Sequence, residues 1–555
     1  MVLQMIHPEI PLAQSIIQIA KAKGLNTIII SPGSRNAPLT IGFSSDPFFN
    51  CYSIADERCA AFFGLGIAQQ TLTPAILVCT SGSALLNYYP AVAEAFYSQI
   101  PLIVISADRP TDKIDIGDGQ TIRQRNVYDN HSLYNANLTE EASASNDLLI
   151  QNAISVAINK KGPVHINAPF EEPLYNTLAE NTYTPALVHI EKPSLPAVDF
   201  TSFKELWNNT PKKLVLIGVE NPGFMDVEII NLLGNDPSVV VMTEVTSNLH
   251  HPNFVSTIDT LITSFNEDDF KKLQPDLLIT TGGMVVSKRI KAFLRKYKPK
   301  AHWHVDELRA YDTFQALNAH IKADPNLFFK AMYASSEEIN SPYQSWVLTL
   351  MESRKKGHQK YLENIVFSDF KAFDIIWKHL PGHLQLQISN SASIRYAQLF
   401  DTKPSIRVFC NRGTSGIDGS TSTAIGAAVV SKEPTVLITG DIGFLYDSNA
   451  LWNNYTPKDF KIILINNGGG GIFRILPGHQ EQAVFNTYFE TEHQLDASHL
   501  AKMFGYEYYT ATDEQTLEKS LSRLFSEQNE RPAILEIFTP TKINQDILKE
   551  YFKVI

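Results

Sequence analysis

Cysteine is scarce: Cys51, Cys59, Cys79 and Cys410 are the only four in 555 residues, and no two form a Cys-x-x-Cys pair. That excludes a disulfide framework and a thiolate zinc site, and it points to a reducing, cytoplasmic setting. Long uncharged apolar runs are also missing, so membrane insertion is not expected. Residues 1–24 hold no basic region followed by an apolar core, so no export signal is expected either. Positive charge is not in excess. Lys and Arg number 47 against 58 Asp and Glu, a net charge of −11, which argues against nucleic acid as a partner. An anionic small molecule stays open, because a local cluster of cations can dominate one cleft. No G-x-G-x-x-G follows an apolar run, which argues against a nicotinamide-linked dehydrogenase. There is no short-period repeat and no low-complexity tail. The chain is too long for one hydrophobic core, and three domains of ordinary size are expected.

What is present is concentrated between Gly440 and Phe473. Residues 435–439 form a short apolar run that leads into Gly440-Asp441. Residues 462–465 form a second, leading into Asn466-Asn467 and four glycines. Both are short and rich in β-branched residues, which predicts buried parallel strands. Asp441 and Asn467 then stand where strands stop, the ligand edge of an open α/β sheet. Their separation, 467 − 441 = 26, fits one strand-to-strand crossover with a helix between. A carboxylate and an amide oxygen at one edge are hard ligands suited to Mg²⁺, which bridges protein oxygens to phosphate. The glycines let the backbone approach a bulky anion. Taken singly, Gly-Asp is a turn and Asn-Asn-Gly a helix cap. Two such pairs at this spacing, each after a strand, favour the reading as a metal site that bridges to phosphate.

The rest of the chain alternates apolar runs with helical spacing. Strands are predicted over 27–30, 52–55, 75–79, 102–106 and 164–166, with helices over 12–23, 60–68 and 84–96. The turn S-P-G-S-R (31–35) puts Ser34 and Arg35 on the sheet edge. D-E-R (56–58) follows the second strand. There Glu57 is either a capping charge, favoured by the helix dipole, or a functional carboxyl. A second α/β region has strands over 214–218, 239–242 and 277–281, the last running into Gly282-Gly283 and Lys288-Arg289. His302, His304 and Asp306 alternate; such a set could hold a metal, but solvated polar residues are its commoner meaning. A third region has strands over 384–389, 408–410, 435–439, 462–465 and 533–538. Proline-dotted 185–196 and polar 335–341 read as linkers, giving domains over 1–184, 197–334 and 342–555. The fold class is α/β: three domains, each a mostly parallel sheet flanked by helices. The first and third look like one architecture used twice, with a plainer one between.

Seven motifs run in order over nearly the full length: S-P-G-S-R (31–35), D-E-R (56–58), A-D-R-P (107–110), Q-T-I-R-Q (120–124), N-S-A-S-I-R (390–395), N-R-G-T-S-G-I-D-G (411–419) and N-N-G-G-G-G-I-F (466–473). Together they resemble the 2-succinyl-5-enolpyruvyl-6-hydroxy-3-cyclohexene-1-carboxylate synthase family of menaquinone biosynthesis. The resemblance implies a thiamine diphosphate-binding fold, with thiamine diphosphate and Mg²⁺ (or Mn²⁺) as cofactors. It implies decarboxylation of 2-oxoglutarate and addition of the resulting succinyl carbanion equivalent to isochorismate. It makes Asp441 and Asn467 side-chain metal ligands and Gly469 a carbonyl ligand. Gly440, Ile472 and Ile417 join the cofactor site, Ile417 as the bulky residue that bends the cofactor. Glu57 would hydrogen-bond the aminopyrimidine ring and is expected to be buried. Arg35, Arg109, Lys288, Arg289 and Arg395 would bind substrate carboxylates, to which arginine offers a planar fork. Ser34, Gln120, Asn390 and Ser391 would be their hydrogen-bonding partners. Of all these, Glu57, Ser34, Arg35, Gln120, Ser391 and Arg395 form the implied catalytic set. Ile472, Phe473 and Leu476 would line the pocket for the substrate ring. A homodimer or homotetramer is also implied. Two departures stand out: Gly119 occupies a place where a hydrogen-bonding side chain is expected, and glycines 468–471 replace a less uniform turn.

The nearest rival is another thiamine diphosphate-dependent 2-oxo acid decarboxylase or carboligase, acetolactate synthase-like. Such enzymes act on smaller or less charged acids and do not need so many cations. A catalytically dead protein of this fold, serving as a binding subunit, is opposed by Glu57, Asp441 and Asn467 occurring together.

Overall fold

The computed structural model describes residues 6–188, 198–334, 339–475, 482–526 and 530–555. They form two compact units. One draws on Met1–Pro193, Gly413–Thr435 and Gly443–Phe460, the other on Ser194–Arg412, Val436–Ile442 and Lys461–Ile555. Residues 189–196 of the first predicted linker, 335–338 of the second, and Leu476 lie outside the described residues.

The first unit carries a six-stranded parallel sheet. Its spatial order is Asn50–Ser53, Thr27–Ile30, Ala75–Cys79, Leu102–Asp108, Pro163–Pro169, Asn135–Asn137, or 2-1-3-4-6-5 counted along the chain. The central strands Ala75–Cys79 and Leu102–Asp108 are buried at every position, as a sheet covered on both faces requires. The helix Glu57–Thr71 starts at Asp56, whose carboxylate accepts from the Cys59 N–H at 3.1 Å. It closes at Leu72 in the left-handed conformation, and so extends beyond the apolar core 60–68 at both ends. It packs closely on the helix Ser420–Val430. A Cβ on Gly66 would lie 2.1 Å from the Thr423 carbonyl oxygen, and one on Gly426 would lie 2.0 Å from that of Phe63. Only glycine lets the two backbones touch there.

The second unit carries two sheets. The middle one runs Phe254–Val255, Val239–Thr243, Lys213–Ile217, Leu277–Thr281, Ala301–Val305, Ala319–Ile321, or 3-2-1-4-5-6 along the chain. Its residues alternate between two cores, with Leu214, Leu216, Val240 and Met242 in one and Val215, Ile217, Val239 and Val241 in the other. The other sheet runs Arg407–Phe409, Gln385–Ile388, Thr435–Gly440, Lys461–Asn466, Ala533–Phe538, Glu507–Ala511. Counted along the chain this is again 2-1-3-4-6-5, so the first and third sheets share one topology.

The departures from the predicted elements have local causes. The helix predicted over 84–96 is two, Ala84–Asn87 and Tyr89–Ser98, because Pro90 in the first turn of the second has no N–H to continue the ladder. Asn135–Asn137, Ala319–Ile321 and Glu507–Ala511 are edge strands, incompletely buried and without an apolar run. Among the described residues no helix is long and apolar enough to cross a membrane.

Candidate active site

The third sheet reverses strand order between Gln385–Ile388 and Thr435–Gly440, and ligands of such sheets bind beyond the carboxyl ends of strands at the reversal. Asp441 lies there, 4% exposed. Its Oδ1 accepts from the Ile442 N–H at 2.7 Å, and its Oδ2 from the N–H groups of Gly468 and Gly469 at 2.9 and 3.0 Å. Gly468 has φ 78°, a conformation that favours glycine. His493 Nε2 stands 3.3 Å from Asp441 Oδ2, and this carboxylate raises the imidazole pKa. Asn467 is buried as well. Its Nδ2 donates to Asp369 Oδ2 at 2.9 Å, and that carboxylate fixes which way the amide points. Asn467 Oδ1 is left buried with no hydrogen-bond partner among the described residues. An orphaned acceptor of this kind is costly unless a ligand satisfies it. Asp369 in turn accepts from Thr539 Oγ1 at 2.5 Å, while its own N–H donates to Asn544 Oδ1 at 2.9 Å. Burial pushes its carboxyl up to about 6.

The glycine run is tied down on its far side. The Gly470 N–H donates to the Glu490 carbonyl at 2.6 Å, and Arg474 forms a buried ion pair with the Glu490 carboxylate. A Cβ on Gly440 would meet no heavy atom within 4 Å. Ile472 and Phe473 open the short helix Ile472–Ile475. Phe473 is exposed and meets Phe489 edge-to-face at 6.2 Å.

Four cations gather at the edges of the second unit's two sheets. Ser391 caps the helix Ala392–Ala397 at φ 72° and ψ −126°. That region strains a non-glycine residue by roughly 1–3 kcal/mol, a cost usually met at functional sites. Arg395 Nη1 donates to the Ser391 carbonyl at 2.9 Å. Asn390 Nδ2 donates to the Asn411 carbonyl at 2.7 Å, and Arg412 Nη1 to Asn390 Oδ1 at 2.7 Å. Burial, then the neighbouring Arg412, lowers the pKa of Arg395. Lys288 and Arg289 occupy the first turn of Lys288–Lys296, both exposed, with the Arg289 guanidinium 4.3 Å over the Phe552 ring. Arg289 and Arg395 both act electrostatically on Asp259.

In the first unit Glu57 sits in the first turn of its helix, half-buried rather than buried as expected, with Asn87 Nδ2 at 3.5 Å from Oε2. The turn places Ser34 at the surface and Arg35 inside, 3% exposed. Arg35 donates to the Phe170 carbonyl at 2.9 Å and to Glu172 Oε1 at 3.0 Å. Arg109 Nη1 lies 3.8 Å from that same carboxylate oxygen, and Arg109 Nη2 donates to the Gly119 carbonyl at 3.1 Å. The backbone of Gly119 thus supplies a contact that its missing side chain does not. Gln120 is exposed, with φ 55°. Under these residues runs a buried network. Gln124 donates to Asn167 Oδ1 at 2.8 Å, and Asn167 donates to Asp108 Oδ2 at 2.7 Å. Ile417 is half-buried in a turn tied down by Glu94, whose carboxylate accepts from the N–H groups of Gly413 and Thr414 at 2.7 and 2.6 Å.

Three family models match the chain: "Thiamine pyrophosphate enzyme, N-terminal TPP binding domain" over residues 10–133, "Middle domain of thiamine pyrophosphate" over 225–386, and "Thiamine pyrophosphate enzyme, C-terminal TPP binding domain" over 391–537. A 2-succinyl-5-enolpyruvyl-6-hydroxy-3-cyclohexene-1-carboxylate synthase from Flavobacterium johnsoniae is 63% identical over 552 residues, covering 99% of this chain and 100% of that protein. Synthases of the same name from Christiangramia forsetii and Porphyromonas gingivalis are 48% and 36% identical, covering 98% and 97% of this chain and 99% and 96% of theirs. The chain belongs to this synthase family. It is a thiamine diphosphate-dependent transferase. The residues fit the cofactor: a buried carboxylate at Asp441 and an orphaned amide oxygen at Asn467 form the donor set a diphosphate-bridging cation takes.

His302 and His304 are not the solvated residues their alternation suggests. Both are withdrawn from solvent and share the Thr280 hydroxyl, at 2.9 and 2.8 Å. Burial pushes both imidazoles down to about 4. Among the described residues no cluster of three or more His, Cys, Asp or Glu could hold a metal. Sequence reasoning missed Asp369, Glu94, Asn167 and Arg412 as site residues. Arg412 lies inside a motif and was readable. The bonds given above for the other three span 43 or more positions.

Proposed function

We propose that the protein decarboxylates 2-oxoglutarate and adds the succinyl group to isochorismate, giving 2-succinyl-5-enolpyruvyl-6-hydroxy-3-cyclohexene-1-carboxylate and CO₂ in menaquinone biosynthesis. Full-length similarity to synthases of that name, at up to 63% identity, carries this reading. Both substrates are dianions, and the arginine-rich sheet edges supply what dianions need. When bound, thiamine diphosphate supplies the nucleophilic carbon and the electron sink for decarboxylation. Asp441, Asn467 and the Gly469 carbonyl would hold Mg²⁺ (or Mn²⁺), with Gly440, Ile417 and Ile472 shaping the rest of the cofactor's seat. Glu57 would hydrogen-bond the pyrimidine ring. Arg35, Arg109, Lys288, Arg289 and Arg395 pair with substrate carboxylates, and Ser34, Gln120, Asn390 and Ser391 orient them. Phe473 and Leu476 exclude water from the substrate ring. The working form is a homodimer or homotetramer in the cytoplasm, with domains over 1–184, 197–334 and 342–555.

The test is to mix the protein with thiamine diphosphate, Mg²⁺, 2-oxoglutarate and isochorismate. CO₂ release should match isochorismate loss mole for mole. Release of CO₂ from pyruvate, with isochorismate untouched, would assign the chain to the acetolactate synthase-like alternative.

A further inference from the structure

The turn at 244–248, which follows the strand Val239–Thr243, reaches three separate elements. Glu244 is 3% exposed. Its Oε2 accepts from the Val286 N–H and its Oε1 from the Ser287 N–H, both at 2.7 Å. Ser287 is the N-cap of Lys288–Lys296, accepting from the Ile290 N–H at 3.1 Å. Its hydroxyl donates to Asp259. The helix bearing Lys288 and Arg289 is therefore held at its start by two carboxylates from different elements. One residue on, the Val245 N–H donates to Gln398 Oε1 at 3.2 Å, just past the helix that carries Arg395. At the end of the turn, Asn248 accepts from the Val408 N–H at 2.8 Å and donates to the Val408 carbonyl at 2.9 Å. Val408 lies in the edge strand that leads to Arg412. Burial pushes the Glu244 carboxyl up to about 7, against its two N–H donors and the nearby Arg412. An apolar residue here would leave the two buried N–H donors unpaired, so it is the hydrogen bonding to the start of Lys288–Lys296, not packing, that calls for a carboxylate.

We propose that this turn sets the spacing between the Lys288–Arg289 pair of the middle sheet and the Arg395–Arg412 pair of the third sheet, with Glu244 as the positioning residue. The proposal rests on the reading that these cations bind substrate carboxylates. A carboxylate is needed because two N–H groups converge on it, whereas a glutamine offers one oxygen and sets an N–H against the other donor. A shift of about 1 Å in a binding group costs up to roughly a hundredfold in rate. Misplaced cations should therefore register as weaker binding of the dianions.

The test compares Glu244→Gln, Ser287→Ala and Ser287→Thr in the full-length holoenzyme. For each, KM is measured for 2-oxoglutarate and isochorismate, together with kcat, thiamine diphosphate affinity and Tm. Glu244→Gln and Ser287→Ala should raise KM for at least one dianion about tenfold or more. They should leave kcat within about threefold and cofactor affinity unchanged, and Ser287→Thr should restore KM. Unchanged KM in Glu244→Gln, or KM and cofactor affinity failing together, overturns the inference. If Glu244→Gln does not fold, equal KM values for the two Ser287 variants overturn it. Arg289→Ala and Arg395→Ala serve as references. If they raise KM and Glu244→Gln does not, the inference alone fails; if neither raises KM, the underlying reading fails with it.

Discussion

Glu57 stands in the first turn of a helix whose start is already capped by Asp56. Capping therefore does not require its carboxylate, as the proposed role in cofactor chemistry needs. Glu57→Gln should lower turnover by about a hundredfold or more, the scale of a lost proton-transfer group, while the circular dichroism spectrum stays unchanged. Near-normal turnover would remove Glu57 from the chemistry. Arg395→Ala should raise KM for a dianionic substrate by about ten- to a hundredfold, the equivalent of a charge-assisted hydrogen bond of roughly 1.5–3 kcal/mol. Asp369 reaches the proposed cofactor site through the Asn467 amide and through its electrostatic action with Asp441. Asp369→Ala releases that amide, and calorimetry in Mg²⁺ should show thiamine diphosphate affinity falling about tenfold, as for a lost support behind a metal ligand. The positions of Glu57, Asp441 and Asn467 beyond strand ends were legible in the sequence because each follows an apolar run that ends abruptly. Asp369 was not: it is 98 positions from Asn467, and nothing in its own neighbourhood marks it.

The helices Glu57–Thr71 and Ser420–Val430 cross at Gly66 and Gly426, where each backbone lies against the other's carbonyl. Gly426→Val would drive a side chain into the Phe63 carbonyl. The cost should be about 1–3 kcal/mol of overpacking, read as a Tm several degrees lower, and an unchanged Tm would mean the crossing can slide. The glycines of F-F-G-L-G and A-I-G-A-A are visible in the sequence, but their meeting is not, because it joins segments more than 350 positions apart. Strands show the same division. Ala75–Cys79, Leu277–Thr281 and Ala533–Phe538 coincide with their predicted ranges, since interior parallel strands must be apolar on both faces. Edge strands such as Glu507–Ala511 need only one buried face, and their composition does not separate them from loops.

Over the whole molecule, burial sets the response to acid. It holds His165 at about 3 and His302, His304 and His358 at about 4, against about 6.5 in an unfolded chain. Between those values the unfolded chain binds protons that the folded chain refuses. Stability from these residues is thus complete above about pH 6.5 and lost as the pH falls towards 4. Glu244, Asp369 and Asp447, which burial raises to about 7, 6 and 7, act in the opposite sense over that window. The histidine contribution is therefore read by difference: on going from about pH 6.5 to 4, His165→Gln with His302→Gln should make the urea midpoint fall less than it does in the unsubstituted chain. An unaltered slope in that double variant would falsify the burial account. That the three sheets are built of parallel strands joined through helices follows from alternating apolar runs and helices, whose period and length are local properties; their strand orders were decided by pairing between distant segments. Local chemistry likewise placed Asp441, Asn467 and the arginine motifs at strand ends, where any open α/β sheet presents its ligand edge. Which amide oxygen is left without a donor, which carboxylates meet the start of Lys288–Lys296, and that His302 is buried and His304 half-buried all came from folding. Each depends on contacts between segments far apart in the chain, and the spacing of residues along it carries no record of them.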